Sequence, residues 1–596
     1  MYRSVAGTHH RPERQTSSPW RSLWWFVVPV VIATLLSVRR DWFPVADLSL
    51  VDLKLRDIWV HPPLTGPYSR FGWDHPGPIM YWLLWLPWKL AGGHARGLLF
   101  ATLLWHCAAA TISLYVGGKV GGRALQVCVA LALGAAAVSV TADALVQPWN
   151  PYLNLMLVPG LVVACAGAAT GDRLASLWCA GIASVMAQNH LGLLPPAIVL
   201  AGLWLLIMLV AMGRKWRRSG GDPSTVAQQG LTIGWSMAVV GALWALPLYQ
   251  QFSNSPGNLE LLWKFAREDH DSVGLTGAAR IVGRMFGPTP PWLGFRYPLE
   301  PFHGGVDTGI GGWATMPVLL VIPVIAVIVA LRRADWARLR VLLATLVVLA
   351  LGFVSVVGIS GEPHVYLVGW IAIAVALWMA LSAWTIGEHL YERVGAGERF
   401  GEMPTEWMSS IALGVVGVLV AGSIVAAPNP YAGQDDQARS LAYQLLDSSP
   451  GDTTPWVFGD TPDFAGLTYI SSLMSFAESR GISAYGPVTA LGGLDESWLG
   501  PGPERRRDFL ILTSSAARPL LTDPNWRIAA QHQPFSSELR DRIWGLLDRI
   551  AFISAKPELS RDDEVERYFS NEEVKKLQGG DLDVYVFERR RGPSSP

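Results

Sequence analysis

The strongest constraint on this chain is its set of uncharged apolar runs, among them Leu23 to Val38, Trp313 to Leu331 and Ile411 to Ala427. A stretch of about 20 such residues is what a helix needs to cross the hydrocarbon core of a bilayer. Hydrophobic residues make up 51% of the 596 and charged residues 16%, against roughly 25% charged in soluble domains. A soluble chain would struggle to bury so much apolar surface, so the expected class is a polytopic α-helical membrane protein. Lys plus Arg equals Asp plus Glu, 47 against 47; no net charge points to a nucleic-acid partner. Cys107, Cys128, Cys165 and Cys179 all lie within apolar segments, which suggests neither a disulfide framework nor a cysteine metal site. Arg3, Arg11, Arg14 and Arg21 precede the first apolar run as in a secretory signal. No small-residue cleavage pattern follows at Val38-Arg39-Arg40-Asp41, so an uncleaved first span is expected, behind a cytoplasmic tail at 1–22.

Twelve apolar segments can be drawn, at about 23–38, 77–92, 97–117, 123–141, 151–169, 173–189, 191–212, 231–250, 314–332, 338–358, 365–385 and 407–427. The basic connections Arg214 to Arg218, Arg332 to Arg340 and Glu388 to Arg399 should all lie on the cytoplasmic side. Twelve crossings violate that rule. If one segment among 77–141 fails to span, about eleven crossings satisfy it. The loops at 39–76, 142–150, 188–190, 251–313 and 359–364 then share the outer side with everything after Ala427. The membrane domain is thus expected over 23–427. From 428 to 596 the composition turns mixed and polar, with helix-like Gln437 to Leu446 and Ser537 to Ile550 and strand-like Trp456 to Phe458, Phe509 to Leu512 and Val584 to Phe587, as in a soluble, extracytoplasmic α/β domain.

In the first outer loop Leu48, Val51, Leu55 and Ile58 recur at helical spacing, as in a helix lying along the membrane surface. Asp47, Asp52 and Asp57 advance about 140° per step on that helix, so the three cannot share one face. The stretch from His61 to Trp82 is too rich in Pro and Gly to be helical and is dense in polar aromatics. Irregular polar backbone at a membrane edge is tolerated where it lines a cavity; a stiff connection with interfacial Trp and Tyr is the plainer alternative.

This loop, with an acid at Asp47, a surface helix, and His75-Pro76-Gly77-Pro78-Ile79-Met80-Tyr81-Trp82 before the next apolar segment, resembles the GT-C glycosyltransferases, in particular the branch of protein O-mannosyltransferases and aminoarabinose lipid A transferases. The family often has a second acid where Leu48 stands and Lys where His75 stands. The resemblance implies an inverting transfer of a sugar from a polyprenyl-phosphate donor, at the outer face, to a glycan, lipid or protein acceptor. Asp47 is the implied base, with Asp52 its alternate. Such a reaction needs a carboxylate to take the acceptor proton, and cations or donors to hold the departing phosphate. His75 and Arg70 suit the second role, His75 only when protonated. His364 and Tyr366, in Glu362-Pro363-His364-Val365-Tyr366, resemble the family's late phosphate-facing motif, or else anchor a helix at the interface.

By register with the family, Asn150 stands in the place of a second acid, Asp143 lying before it; Asn150 could also cap a helix before Pro151. Gln188 and His190, with Asn189 between them, end a span on the outer side, as sugar or phosphate contacts or as a clamp between helices. Asp269, His270 and Asp271 are weak candidates for a divalent cation, more simply a solvated helix end. No nucleotide-binding or nucleophile-elbow motif stands in a fitting context. Two rival functions remain: a glycolipid transporter or flippase, which should carry its polar groups near the midplane, and an inactive binding protein with the same fold.

Overall fold

The computed structural model describes residues 20–140, 143–268, 270–295, 312–394, 405–461, 464–487, 498, 504–556, 558–579 and 581–590. Its membrane domain is all helical: α1 (Trp20–Ser37), α2 (Asp47–Asp57), α3 (Ile79–Leu90), α4 (Ala95–Ser139), α5 (Val158–Ala168, led by a 3-10 turn from Tyr152), α6 (Arg173–Asn189), α7 (Leu194–Arg218), α8 (Ala227–Ser253), α9 (Asn258–Phe265), α10 (Gly274–Met285), α11 (Val321–Arg332), α12 (Trp336–Val357), α13 (Val365–Arg393) and α14 (Thr405–Ala426).

Helix breaks mark where the chain turns. Within α4, Gly121 and Gly122 leave helical geometry, Gly122 at φ 69°, so the 45 residues form two antiparallel spans. Asp172 and Asp335 cap α6 and α12 by accepting from Ala175 N at 2.7 Å and Arg338 N at 3.1 Å. The α4 break is tied to the start of α14 by Arg123 and Glu406 at 3.2 Å. At the same face Arg333 pairs with Glu392 at 2.6 Å, and Arg338 pairs with Glu388. The connection at Arg332 to Arg340 and the Glu388 end of α13 therefore share one face.

At the other face Arg96, at the start of α4, reaches Asp41, just past α1, at 3.4 Å. The start of α3 follows the first loop, and its twelve residues extend only about 18 Å. It then turns back through residues 91–94, so α3 begins and ends on one face. Segment 77–92 is thus the one that does not cross. Its Met80, Tyr81, Leu84 and Trp88 instead pack on Leu48, Val51 and Leu55 of α2 and on Ile58 just after it. Among the described residues eight helices are long and apolar enough to cross a membrane, α4 among them with two antiparallel halves, a shorter apolar helix runs over Tyr152–Ala168, and the protein is a multi-pass membrane protein.

The C-terminal domain contains α15 (Gln434–Asp447), α16 (Phe464–Ser479), α17 (Ser537–Ser554) and α18 (Arg561–Gln578) around a five-stranded sheet of β1 (Trp456–Phe458), β2 (Ala484–Tyr485), β3 (Arg507–Thr513), β4 (Trp526–His532) and β5 (Val584–Arg589). The strand order is β2-β1-β3-β5-β4; β1 runs parallel to β2 and β3, and β5 antiparallel to β3 and β4. Its core does not close on itself. Phe43, Val45, Leu50 and Leu53 from the first loop complete a cluster with Leu441, Leu445, Ile470 and Leu473. Helix α2 is thereby held between α3 below and the C-terminal domain above.

Candidate functional site

Asp47 is the first residue of α2, and the preceding Ala46 adopts φ 51°, a left-handed conformation that turns the chain sharply into the helix. The Tyr68 hydroxyl donates to Asp47 Oδ1 at 2.9 Å, and the Trp149 indole is a second donor. Burial raises the Asp47 carboxyl above its ordinary range, partly offset by those two hydrogen bonds. A carboxylate of raised basicity is better matched to general-base work near neutral pH.

Tyr68 lies on a tight hairpin. Gly66 N donates to His75 O at 2.9 Å, His75 N to Pro67 O at 2.8 Å, and Ser69 N to Trp73 O at 2.8 Å. A Cβ on Gly66 would lie 2.8 Å from both Gly77 O and His75 Cβ, so the turn needs glycine there. Asn258, at the start of α9, fixes the hairpin by bonding both Asp74 N, at 2.8 Å, and Asp74 O, at 2.9 Å. The hairpin carries Arg70 toward the 359–364 loop, where its guanidinium lies against Gly361 and within electrostatic reach of Tyr366. Among the described residues Arg70 has no carboxylate partner. His364 and Tyr366 stack with ring centroids 5.4 Å apart, and Tyr366 lies 4.5 Å from Trp149. His364 Nδ1 is buried with no hydrogen-bond partner among the described residues. Asp47, Tyr68, Arg70, Trp149, His364 and Tyr366 therefore form one constellation of an acid, a cation and polar aromatics.

His75, at the end of the hairpin, and His190, just after α6, form a second group, stacked at 5.1 Å. Each Nδ1 accepts a backbone N–H, His75 from Leu191 at 3.2 Å and His190 from Gly192 at 3.1 Å. The proton of each neutral ring therefore sits on Nε2. Burial and the neighbouring His190 hold His75 well below its ordinary range, and burial lowers His190 to about 4. His75 was expected to hold phosphate as a cation; in this setting it is a neutral Nε2–H donor.

Other candidates have structural partners. Asp52 is fully buried on the opposite side of α2, accepting from Arg56 Nε at 2.7 Å and from Ser475 Oγ of α16 at 2.7 Å. Asn150, Asn154 and Asn189 close a ring of amides: Asn150 Nδ2 to Asn189 O at 2.8 Å, Asn154 Nδ2 to Asn150 O at 3.0 Å, Asn189 Nδ2 to Asn154 Oδ1 at 3.2 Å. The cap before Pro151 is not made by the Asn150 side chain. Gln188 donates to Leu243 O at 2.9 Å. That carbonyl lies four residues before Pro247, which has no N–H to offer it, so Gln188 supplies the donor that the proline removes from α8. Asp143 is buried and bonded by Gln147 Nε2.

His270 turns back onto Phe265, its Nε2 3.1 Å from that residue's carbonyl, and the Asp271 carbonyl accepts from Gly361 N at 3.2 Å. Asp269 lies outside the described residues. Among those described, no three His, Cys, Asp or Glu side chains come together to hold a metal ion.

Sequence reasoning missed Tyr68 and Trp149 as partners of Asp47. Both stand among Trp and Tyr residues that a membrane interface explains by itself, so residue type alone could not single them out.

No protein-family model and no curated protein matches this chain. Among solved structures, ArnT from Cupriavidus metallidurans bound to undecaprenyl phosphate is similar with a TM-score of 0.51 at 11% identity, over 86% of this chain and 96% of that one. The same protein in its apo state gives 0.48 at 13% identity, over 86% and 97%. At such identity the first likeness is one of fold alone. The matched share exceeds what residues 20–427 could supply, so the likeness extends into the C-terminal domain, beyond the reach of the sequence resemblance.

Proposed function

We propose that this protein is a membrane glycosyltransferase that moves a sugar from a polyprenyl-phosphate donor to an acceptor hydroxyl, with inversion, at the face bearing Asp47. The observation that carries the reading is one constellation in which Asp47, raised in basicity and held by Tyr68 and Trp149, is joined through Trp149 and Tyr366 to Arg70, which has no carboxylate partner among the described residues. The ArnT structure of the same fold contains undecaprenyl phosphate, which supports a lipid phosphate as the donor's carrier.

In this mechanism the acceptor oxygen attacks the anomeric carbon, and its proton passes to the Asp47 carboxylate. The bond between that carbon and the phosphate oxygen breaks as the new bond forms. The departing polyprenyl phosphate gains charge on its oxygen, where Arg70 and the donors of His364 and Tyr366 stabilise it. His75 and His190 contribute neutral Nε2–H donors to sugar or phosphate oxygens. No step is assigned to a divalent metal ion. The clustered basic connections on the opposite face support a cytoplasmic placement of that face in the plasma membrane, with the C-terminal domain outside. The transporter reading calls for a polar path near the midplane, whereas these groups gather at span ends on one face.

The test uses full-length protein in nanodiscs, offered polyprenyl-phosphate sugars and scored for released polyprenyl phosphate. Asp47→Asn should remove turnover while leaving thermal stability and undecaprenyl phosphate binding intact. Undiminished turnover by that variant would overturn the reading.

A further inference from the structure

Tyr431 lies in the short strap between α14 and α15, where the chain leaves the membrane domain and enters the C-terminal one. The strap is pinned on both sides. The Trp42 indole donates to Pro430 O at 3.0 Å, Asn429 Nδ2 donates to Asp41 O at 2.7 Å, and Asp435 N donates to Tyr431 O at 3.1 Å. The Tyr431 ring packs at the seam between two hydrophobic clusters, one containing Leu48, Met80 and Tyr81, the other completed by Val45 and Leu50 and flanked by Ala46.

Its backbone is strained. Tyr431 has φ 58°, and among the described residues only Ala46, Ala334 and Ser514 share a positive φ without being glycine. Two of these four meet at that seam: Ala46 directly precedes Asp47, and Tyr431 packs against the cluster that Ala46 flanks and against the one containing Leu48. Such conformations cost about 1–3 kcal/mol and persist where the surroundings dictate them, often at functional sites. The phenol lies within electrostatic reach of Asp47, Tyr68, Tyr152 and Asp143; burial first, then these four groups, hold it well above the usual range, so it stays a protonated donor.

We propose that Tyr431 is a positioning residue of the transferase site, delivered to Asp47 by the strap, so that the C-terminal domain forms part of the site rather than a cover over it. The inference rests on the proposed function. Its hydroxyl orients the acceptor hydroxyl or the Asp47 carboxylate for proton transfer, and α2, held by Asp52 to Ser475 and by Ser49 Oγ to Ser471 Oγ at 2.7 Å, keeps the two in register.

The test compares wild type, Tyr431→Phe, Tyr431→Ala and Asp47→Asn, each full length in nanodiscs, for kcat, donor KM and thermal midpoint. Phenylalanine keeps the ring and removes only the hydroxyl. We expect Tyr431→Phe to lower kcat roughly 10- to 100-fold, the scale of lost alignment, with donor KM and thermal midpoint unchanged. Tyr431→Ala should lose both turnover and stability. A Tyr431→Phe variant with wild-type kcat would overturn the inference and reduce Tyr431 to packing, while an inactive Asp47→Asn in the same series would leave the proposed function standing. Full turnover by Asp47→Asn would remove the functional reading itself, and this inference with it.

Discussion

Asp52→Asn separates the two acids that sequence offered as bases. The Asp52 side chain is 1% exposed and that of Arg56 18%, with 2.7 Å between Oδ2 and Nε. The amide keeps the volume and can still accept from Ser475, but the charge of Arg56 loses its counterpart in a half-dry seam. A hydrogen bond to a charged partner is worth about 1.5–3 kcal/mol, and stranding one member of a buried pair costs up to about 3–5 kcal/mol. Because Arg56 is partly solvated, the lower figure applies, and about 2 kcal/mol of docking stability should be lost. For a unit the size of the C-terminal domain this corresponds to a fall of about 4–8 °C in its thermal transition. Scanning fluorimetry in nanodiscs would read the shift, and turnover measured well below the transition would read the chemistry. The structure predicts a lowered midpoint with turnover per folded molecule within about threefold of wild type, an effect of loosened docking well short of losing a base. Abolished turnover at an unchanged midpoint would refute the assignment of Asp52 to structure and of Asp47 to chemistry.

Three further outcomes follow from the site. Tyr68→Phe removes a hydrogen bond that lowers the Asp47 pKa, so that pKa should rise further; activity needs the ionised form, and the acid limb of kcat/KM against pH should move to higher pH, with no movement counting against the contact. Arg70→Ala should weaken undecaprenyl phosphate binding at least about tenfold, in line with loss of a charge-assisted contact, and native mass spectrometry of the titrated protein checks this. Gln188→Leu leaves the Leu243 carbonyl without a donor and should cost about 1–3 kcal/mol, read as a lowered thermal midpoint, whereas a variant as stable as wild type would mean that α8 tolerates its proline unaided.

Much of the membrane architecture was legible in the sequence because two physical rules act jointly there. Hydropathy offered twelve segments and the basic loops allowed eleven, but the pair could not say which early segment fails. The structure names 77–92, whose helix is short and whose Lys89 and following glycines blur its end in any sequence window. Asp47, Arg70, His364 and Tyr366 were legible as chemistry-bearing residues at span ends on one face, and the structure brings them together. The roles of Gln188 and Asn150 were not legible, because they depend on partners far along the chain: Gln188 answers a proline 59 residues later, and Asn150 belongs to an amide ring completed by α6. The charge state of His75 was likewise beyond sequence, since it follows from burial, the stacked His190 and a backbone N–H from Leu191. Tyr431 was read as the beginning of a separate soluble domain because composition changes at Pro428, yet the packing of α2 continues across that boundary.

The central claim is that the face bearing Asp47 binds a lipid phosphate. An experimental structure of the full-length protein with undecaprenyl phosphate in nanodiscs tests it most directly. The phosphate is predicted between Arg70 and the pair His364 and Tyr366, with Asp47 facing the position its sugar would occupy. A phosphate bound at the opposite face, or apart from Arg70 and His364, would contradict the account.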